Sequence, residues 1–177
     1  NIGEGKPMSC VLFQYDPNTD LIHFFNESVV DGAYTEDIMT DLDERGLLEW
    51  DKIIIHGDAT GKARTPAAKQ SNYSVIREYL ENKQANFEMK VPKSNPPIRK
   101  RHMKVNAYCR NDLGQVRLFI YKSAPTADLG MRLTRLKKGG SYIEDDSKRE
   151  QHITTSMGYG LHSVTTSLTR KSRTQKL

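Results

Sequence analysis

The first part of the chain alternates short apolar runs with polar breaks. Met8–Tyr15 is apolar and is followed by the turn residues at 16–18, so the pattern predicts a strand and then a turn. Leu21–Val30 is rich in aromatic and β-branched residues and predicts the second strand of a hairpin. Thr35 can cap a helix that has an apolar stripe at helical spacing, and Gly46 is expected to end this helix or to kink it near its end.

A short apolar strand followed by a polar loop occupies the middle of the chain. Lys52–His56 contains three consecutive isoleucines, a composition typical of a strand that is buried on both faces. The strand stops at Gly57 and Asp58, and a polar, glycine-bearing loop follows. Apolar spacing then predicts a helix over 72–82 and a strand over 87–91.

The second half of the chain predicts three more helices and one strand. Proline is tolerated in the first turn of a helix, so the adjacent prolines at 96 and 97 can start one. The predicted elements are a helix from Pro96 to about Arg110, a strand at 116–121, a helix at 126–136 that carries Leu129, Leu133 and Leu136, and a last helix from about Gln151 with Ile153, Met157, Leu161, Val164 and Leu168 in its stripe.

This order of elements predicts one α/β domain over residues 1–168. Early strands form a hairpin and later strands alternate with helices, which indicates a mixed sheet with helices on both faces. The tail at 169–177 is basic and almost free of apolar residues, so we expect it to lack regular structure. In sheets of this kind, ligands gather beyond the carboxyl ends of the strands.

The charge distribution favours a polyanionic partner. The net charge is +5, and the charge is segregated: 35–51 is acidic, whereas 90–110 and 170–176 are basic. Eight cations, three in the loop after Asp58 and five in the basic stretch at 90–110, are expected to contact DNA phosphates, although a solvated helix face is the alternative for such a run. They are Lys62, Arg64, Lys69, Lys93, Arg99, Lys100, Arg101 and Lys104.

Several classes of protein do not fit the sequence. No apolar run approaches the ~18 residues of a membrane span, and the start of the chain does not have the pattern of a signal peptide. Cys10 and Cys109 are too few for a disulfide framework, so we expect buried free thiols in a reducing compartment. The glycine-bearing loop after Asp58 does not match the phosphate-binding loop of ATP motors.

Asp58 is the leading candidate for a metal ligand and catalytic residue. A carboxylate at the carboxyl end of a strand stands where a hard cation can reach it. Gly57 and Gly61 are small neighbours that would let a phosphate approach. The alternative is that Asp58 caps the loop after the strand, as aspartate often does.

Other acidic residues could join Asp58 around Mg²⁺ or Mn²⁺, which take oxygen ligands. Glu27 lies in the second hairpin strand, and Glu144, Asp145 and Asp146 precede the last helix. His152 at the start of that helix is a further catalytic candidate. Each has a structural alternative: surface alternation for Glu27, an acidic helix start for residues 144–146, and a polar first-turn residue for His152.

Several segments together resemble the nuclease domain of the terminase large subunit of tailed bacteriophages. The likeness covers nearly the whole chain. It rests on Asn1, Pro7 and Met8 at the opening, on the segments IIIHGDATGKA and SNYSVI, on Asn95, Pro96, Arg101 and Asn106 within NPPIRKRHMKVNA, and on His152 and Tyr159 within QHITTSMGYG.

The resemblance implies an RNase H-like fold and a metal-dependent DNA endonuclease. Such a domain cuts concatemeric viral double-stranded DNA during genome packaging, with two Mg²⁺ or Mn²⁺ ions. Its partners would be the terminase ATPase domain, the small terminase subunit and the portal, in the cytoplasm of an infected bacterial host. Asp58 matches the second acidic ligand of the family.

This chain departs from the family pattern at two acidic positions. The first acidic ligand would fall about two residues before Asn1, and the third falls at Thr155, which is not a carboxylate. Asp145 or Asp146 could take the third place from the preceding segment. Two alternatives therefore stand beside an active endonuclease. One is a catalytically weak module that binds DNA or the portal, and the other is a different RNase H-like enzyme such as a junction resolvase or transposase core.

Overall fold

The structure is a computed structural model that describes residues 7–62, 70–137, 143–145 and 149–174, with side chains in the last helix as far as residue 166. It is an α/β protein with a mixed sheet. Five helices are described: α1 is Thr35–Glu44, α2 is Asn72–Asn82, α3 is Ile98–Cys109, α4 is Pro125–Leu133 and α5 is Arg149–Thr174.

The first sheet has three strands in the order β1-β2-β5. Strands β1, Pro7–Asp16, and β2, Leu21–Asp31, form the predicted hairpin, since a four-residue connection allows only an antiparallel pair. Strand β5, Leu118–Ile120, runs parallel to β2, with Phe24 opposite Ile120. The antiparallel and the parallel pair together make this sheet mixed.

The second sheet contains two parallel strands, β3, Ile53–Ile55, and β4, Phe87–Met89. The sequence predicted one sheet, whereas the described strands lie in two. The expectation that β3 is buried on both faces is wrong, because Ile54 is 39% exposed. Because the strands are parallel, their carboxyl ends meet at one edge, where the Asp58 loop begins.

The structure divides into two compact units, each made of two segments. Unit 1 contains Asn1–Cys10 and Ser28–Asn95, and unit 2 contains Val11–Glu27 and Pro96–Leu177. The prediction of one domain over residues 1–168 stays a prediction. In unit 1 the helices α1 and α2 pack together, with Leu42 and Leu80 in the core.

Unit 2 is built around α5, which packs against α3 and α4. Its core includes the predicted stripe residues Ile153, Met157 and Leu161. The helix continues to Thr174, and the expectation that the tail at 169–177 lacks regular structure stays a prediction.

Helix α4 buries its small residues and exposes its large ones. Ala127 and Gly130 face the core, whereas Leu129 and Leu133 are exposed, as is Leu136 beyond the helix. A Cβ added at Gly130 would lie 2.7 Å from Thr154 Cγ2, so a close helix approach requires glycine there.

Both cysteines are free thiols, as predicted, and are only partly covered. Burial raises the pKa of Cys10 to about 11. In the described part of the chain, no helix combines the length and apolar character that crossing a membrane requires.

Candidate functional site

Asp58 lies in the loop at the carboxyl edge of the β3–β4 pair. Its Oδ1 atom accepts hydrogen bonds from Thr60 Oγ1 at 2.6 Å and from Gly61 N at 2.9 Å. These bonds close a turn around the carboxylate, so Asp58 does cap the loop after the strand. The same bonds fix the orientation of the carboxylate, and within the described residues its hydrogen bonds all go to Oδ1.

The loops that follow β3 and β4 are joined beside Asp58. Ala59 N donates to Asn95 Oδ1 at 2.6 Å. Lys62 Nζ donates to Val91 O at 3.2 Å and to Pro92 O at 2.9 Å. An amide and an ammonium therefore accompany the Asp58 carboxylate at this edge of the sheet.

His56 is uncharged at neutral pH although it lies two residues before Asp58. Burial, and to a smaller extent the nearby Lys90 charge, lower its pKa to about 4 against a smaller opposing effect of Glu88. The imidazole therefore adds no positive charge at this edge above about pH 5.

Tyr73 explains why glycines flank Asp58. Its hydroxyl donates to Asp58 O at 2.7 Å, and its ring covers Gly57 and Gly61. A Cβ at Gly61 would lie 2.8 Å from Tyr73 Cε2, and one at Gly57 would overlap Tyr73 Oη. The sequence interpretation assigned these glycines to the approach of a phosphate, but the space beside them is filled by a tyrosine.

We expect Gly57→Ala to lower the free energy of unfolding by about 1–3 kcal/mol, the usual cost of overpacking. Urea unfolding measures the change. In a Tyr73→Ala background the added methyl has room, so the cost of Gly57→Ala should fall to less than half. An equal cost in both backgrounds would contradict this packing.

Glu27 caps a helix in unit 2. Its two carboxylate oxygens accept hydrogen bonds from Thr126 N at 2.7 Å and from Ala127 N at 2.8 Å, at the N-terminus of α4. Glu27 is 8% exposed, so the helix amides and the helix dipole stabilise a buried negative charge. The geometry favours this structural role over the predicted metal ligation, which stays a prediction.

Glu27→Gln should destabilise the protein by about 2 kcal/mol, because an amide nitrogen replaces one acceptor facing a helix amide. Thermal unfolding measures this effect. Asp128→Asn in the first turn of α4 is the matched control, since Asp128 is an exposed partner of Arg132 and should contribute less than about 0.5 kcal/mol. Similar losses in the two variants would count against the capping role.

Arg101 is inside the protein rather than on a DNA-binding surface. Its side chain is 2% exposed, and Nη2 contacts Glu144 Oε1 at 2.5 Å. Its guanidinium lies over the Tyr159 ring, 4.4 Å from the centroid, and its stem packs on Gly158. The prediction that Arg101 contacts phosphate is therefore corrected: a buried, paired guanidinium is not available to DNA.

Glu144 is the anionic centre of this buried cluster. His102 Nε2 lies 2.7 Å from the same Oε1 atom that Arg101 contacts. Burial raises the pKa of Glu144, but the hydrogen bond from His102 and the charge of Arg101 outweigh it, and the pKa lies below its ordinary value. The sequence interpretation treated Glu144 as part of an acidic helix start and missed this pairing.

The remaining candidates near α5 are not gathered into a metal site within the described residues. Asp145 lies in an irregular segment, and its backbone N donates a hydrogen bond to Arg135 O. Asp146 lies outside the described residues. His152 lies on the first turns of α5 and is partly buried. Thr155 Oγ1 accepts from Gln151 Nε2 at 3.2 Å.

The predicted DNA contacts fall in both units. Lys62 and Lys93 belong to unit 1, whereas Arg99, Lys100 and Lys104 belong to α3 in unit 2. Lys93, Arg99 and Lys100 are exposed. Lys104 is partly buried, which lowers its pKa against an opposing effect of Asp20. The other two predicted contacts, Arg64 and Lys69, lie outside the described residues.

The described geometry therefore defines an α/β protein with a polar cluster at the carboxyl edge of the parallel pair β3–β4. No family model, curated protein or solved structure matches this chain.

Proposed function

We propose that this chain is a divalent-metal-dependent DNA endonuclease of the kind it resembles, the terminase nuclease domain. The observation that carries the proposal is the fixed Asp58 carboxylate at the carboxyl edge of the parallel pair β3–β4. Hydrogen bonds from Thr60 and Gly61 hold Oδ1. A carboxylate oriented in this way can ligate a hard cation without first losing rotamer freedom.

Among the described candidate ligands, only the Asp58 carboxylate suits a hard cation. No group of three or more His, Cys, Asp or Glu residues that could hold a metal ion occurs in the described ranges. Glu27 fits poorly, because both of its oxygens face helix amides. A bound Mg²⁺ or Mn²⁺ would supply an activated water and neutralise charge on the phosphate. Asp58 would contribute one carboxylate ligand to that ion.

Cations of the chain support DNA as the substrate. Lys62 is held beside the Asp58 loop by two backbone carbonyls, and Lys93 follows one of those carbonyls in the chain. Contacts of this kind bind the phosphate backbone without reading sequence, and their strength falls as salt rises. The proposed domain would therefore cut with little sequence preference of its own.

Plasmid nicking tests the proposal. The full chain is incubated with supercoiled plasmid and Mn²⁺, then Mg²⁺, then Mn²⁺ with excess chelator. We expect nicked and linear DNA with either metal and none after chelation. Binding of plasmid without any nicking across a range of metal concentrations would overturn the nuclease proposal.

A second candidate function is a DNA-binding module with little or no catalytic activity. It is favoured by the structural use of Glu27 and by the threonine at 155. This function would give salt-sensitive DNA binding, with a linear fall in the logarithm of affinity against the logarithm of salt concentration, and no cleavage. The plasmid experiment separates the two functions directly.

A further inference from the structure

A polar cavity of about 330 Å³ lies in unit 1, next to the Asp58 loop. This volume is at the lower end of small-molecule sites. Its walls come from the turn Thr60–Lys62, the start of α2 and the end of β4. Two lining side chains are cations, two are serines and none of those described is acidic: Lys62, Arg77, Ser71 and Ser74, with Met89 and Val91 as the apolar part.

Lys62 is positioned at the cavity by the backbone. Its ammonium donates to Val91 O and Pro92 O, which hold it at the end of β4. An ammonium has three N–H donors, so one remains for a ligand. The two carbonyl bonds also reduce the entropy that a swinging lysine would lose on binding.

Among the described residues, protein groups engage Arg77 only weakly. Glu81 Oε1 is 3.9 Å from Arg77 Nη1, and both side chains are more than half exposed, at 54% and 59%. Such a pair contributes little. The guanidinium lies 5.9 Å from the centroid of the Phe87 ring, a placement that leaves the in-plane N–H donors free for an anion.

The two serines add a hydroxyl donor. Ser71 Oγ and Ser74 Oγ are 2.8 Å apart, so one hydroxyl hydrogen is used between them and the other remains. Tyr73 completes the wall, and its hydroxyl bond to Asp58 O connects the cavity to the Asp58 loop. The free donors are thus an ammonium, a guanidinium and a hydroxyl, which together complement a tetrahedral oxyanion.

We propose that this cavity binds a phosphate group, either of a nucleic-acid backbone or of a free nucleotide. Lys62 and Arg77 supply the charge, and the Ser71–Ser74 pair supplies a hydrogen bond. The backbone source rests on the proposed function, whereas phosphate binding itself does not. A DNA phosphate held here would place the strand beside the Asp58 loop.

Amide chemical shifts test this site on the full chain in the presence of EDTA, which excludes metal-dependent cleavage. The protein is titrated with inorganic phosphate and, separately, with a short DNA duplex. We expect the amides of residues 71–77 to move. Lys62→Gln and Arg77→Gln should each weaken phosphate binding about tenfold, the loss of one charge-assisted hydrogen bond. In duplex binding, each should lower the salt dependence by about one phosphate contact.

Arg45→Gln is the matched control, because Arg45 is a unit 1 arginine that pairs with Asp41 and does not line the cavity. It should bind phosphate as the unsubstituted chain does. Shifts with both ligands support a backbone site, and shifts with phosphate alone support a free-nucleotide site. Unmoved amides at 71–77 with both ligands, or unchanged binding in Lys62→Gln and Arg77→Gln, would overturn the proposal.

The outcomes separate this proposal from the nuclease proposal. Plasmid nicking without shifts at 71–77 overturns only the phosphate cavity. Shifts at 71–77 with no nicking in any metal overturn only the nuclease.

Discussion

Asp58→Asn should lower the rate of Mn²⁺-dependent nicking by at least about a hundredfold while leaving the fold intact. Asparagine keeps the Oδ1 acceptor that Thr60 Oγ1 and Gly61 N use, so the turn after β3 persists. It loses the negative charge that makes carboxylate a ligand for a hard cation. Loss of a metal ligand is expected to exceed the ten- to hundredfold cost of losing a supporting group.

Asp16→Asn is the matched control for this substitution. Asp16 closes a comparable turn in the β1–β2 hairpin, where Oδ1 accepts from Asn18 N at 2.8 Å and Oδ2 accepts from Thr19 Oγ1 at 2.7 Å. We expect Asp16→Asn to nick at the rate of the unsubstituted chain. Calorimetric titration with Mn²⁺ should show weakened binding in Asp58→Asn alone. Undiminished nicking in Asp58→Asn would remove Asp58 from the site.

Single helices and strands of this fold could be predicted because the sequence signals for them involve residues that are close together in the chain. The helix predicted over 72–82 is observed at those bounds. Ser71 accepts a hydrogen bond from Ser74 N and so begins the helix, while Leu80 lies in the core. The capping bond and the apolar spacing both involve residues within about three turns of one another, so the sequence pattern contains them.

Pairings between distant residues could not be predicted in the same way. Glu27 reaches amides about a hundred positions later, and Arg101 pairs with Glu144, 43 positions later. From composition alone, charged side chains such as these are expected to be exposed to solvent. One sequence signal was available for Arg101: Gly158 lies inside a helix, where glycine costs about 1 kcal/mol relative to alanine. An interior glycine indicates a close approach, and here Arg101 makes it.

The place of Asp58 in the fold was predicted, but the contacts of its loop were not. The strand–loop–helix pattern placed the carboxylate at the end of β3, as observed. The roles of Tyr73, Asn95 and Arg77 depend on which loops meet at the sheet edge, and that follows from the parallel pairing of β3 with β4. The sequence predicted a single sheet, so it did not specify that edge.

The second large effect is expected at the buried cluster in unit 2. Glu144→Gln should lower the free energy of unfolding by about 3 kcal/mol, because a buried guanidinium loses its counter-charge. Arg101 is 2% exposed and Glu144 14% exposed, so water cannot compensate fully. Glu81→Gln, which alters the exposed pair with Arg77, is the control and should change stability by less than about 0.5 kcal/mol.

The pH dependence of stability gives an independent test of the same cluster. The pKa of Glu144 is below its ordinary value of 4.5 in the folded state, so its ionised form stabilises the fold. That stabilisation is complete above pH 4.5 and is lost as the pH falls through the folded pKa. The stability difference between the unsubstituted chain and Glu144→Gln should therefore shrink in acid.

Replacing both partners should restore stability that replacing one removes. In Arg101→Met with Glu144→Leu, neither a buried cation nor a buried anion remains, and the cost of desolvating them disappears. We expect the double variant to recover more than half of the loss in Glu144→Gln. A double variant that is less stable than Glu144→Gln, or a stability difference that does not change with pH, would show that packing rather than charge pairing makes this cluster important.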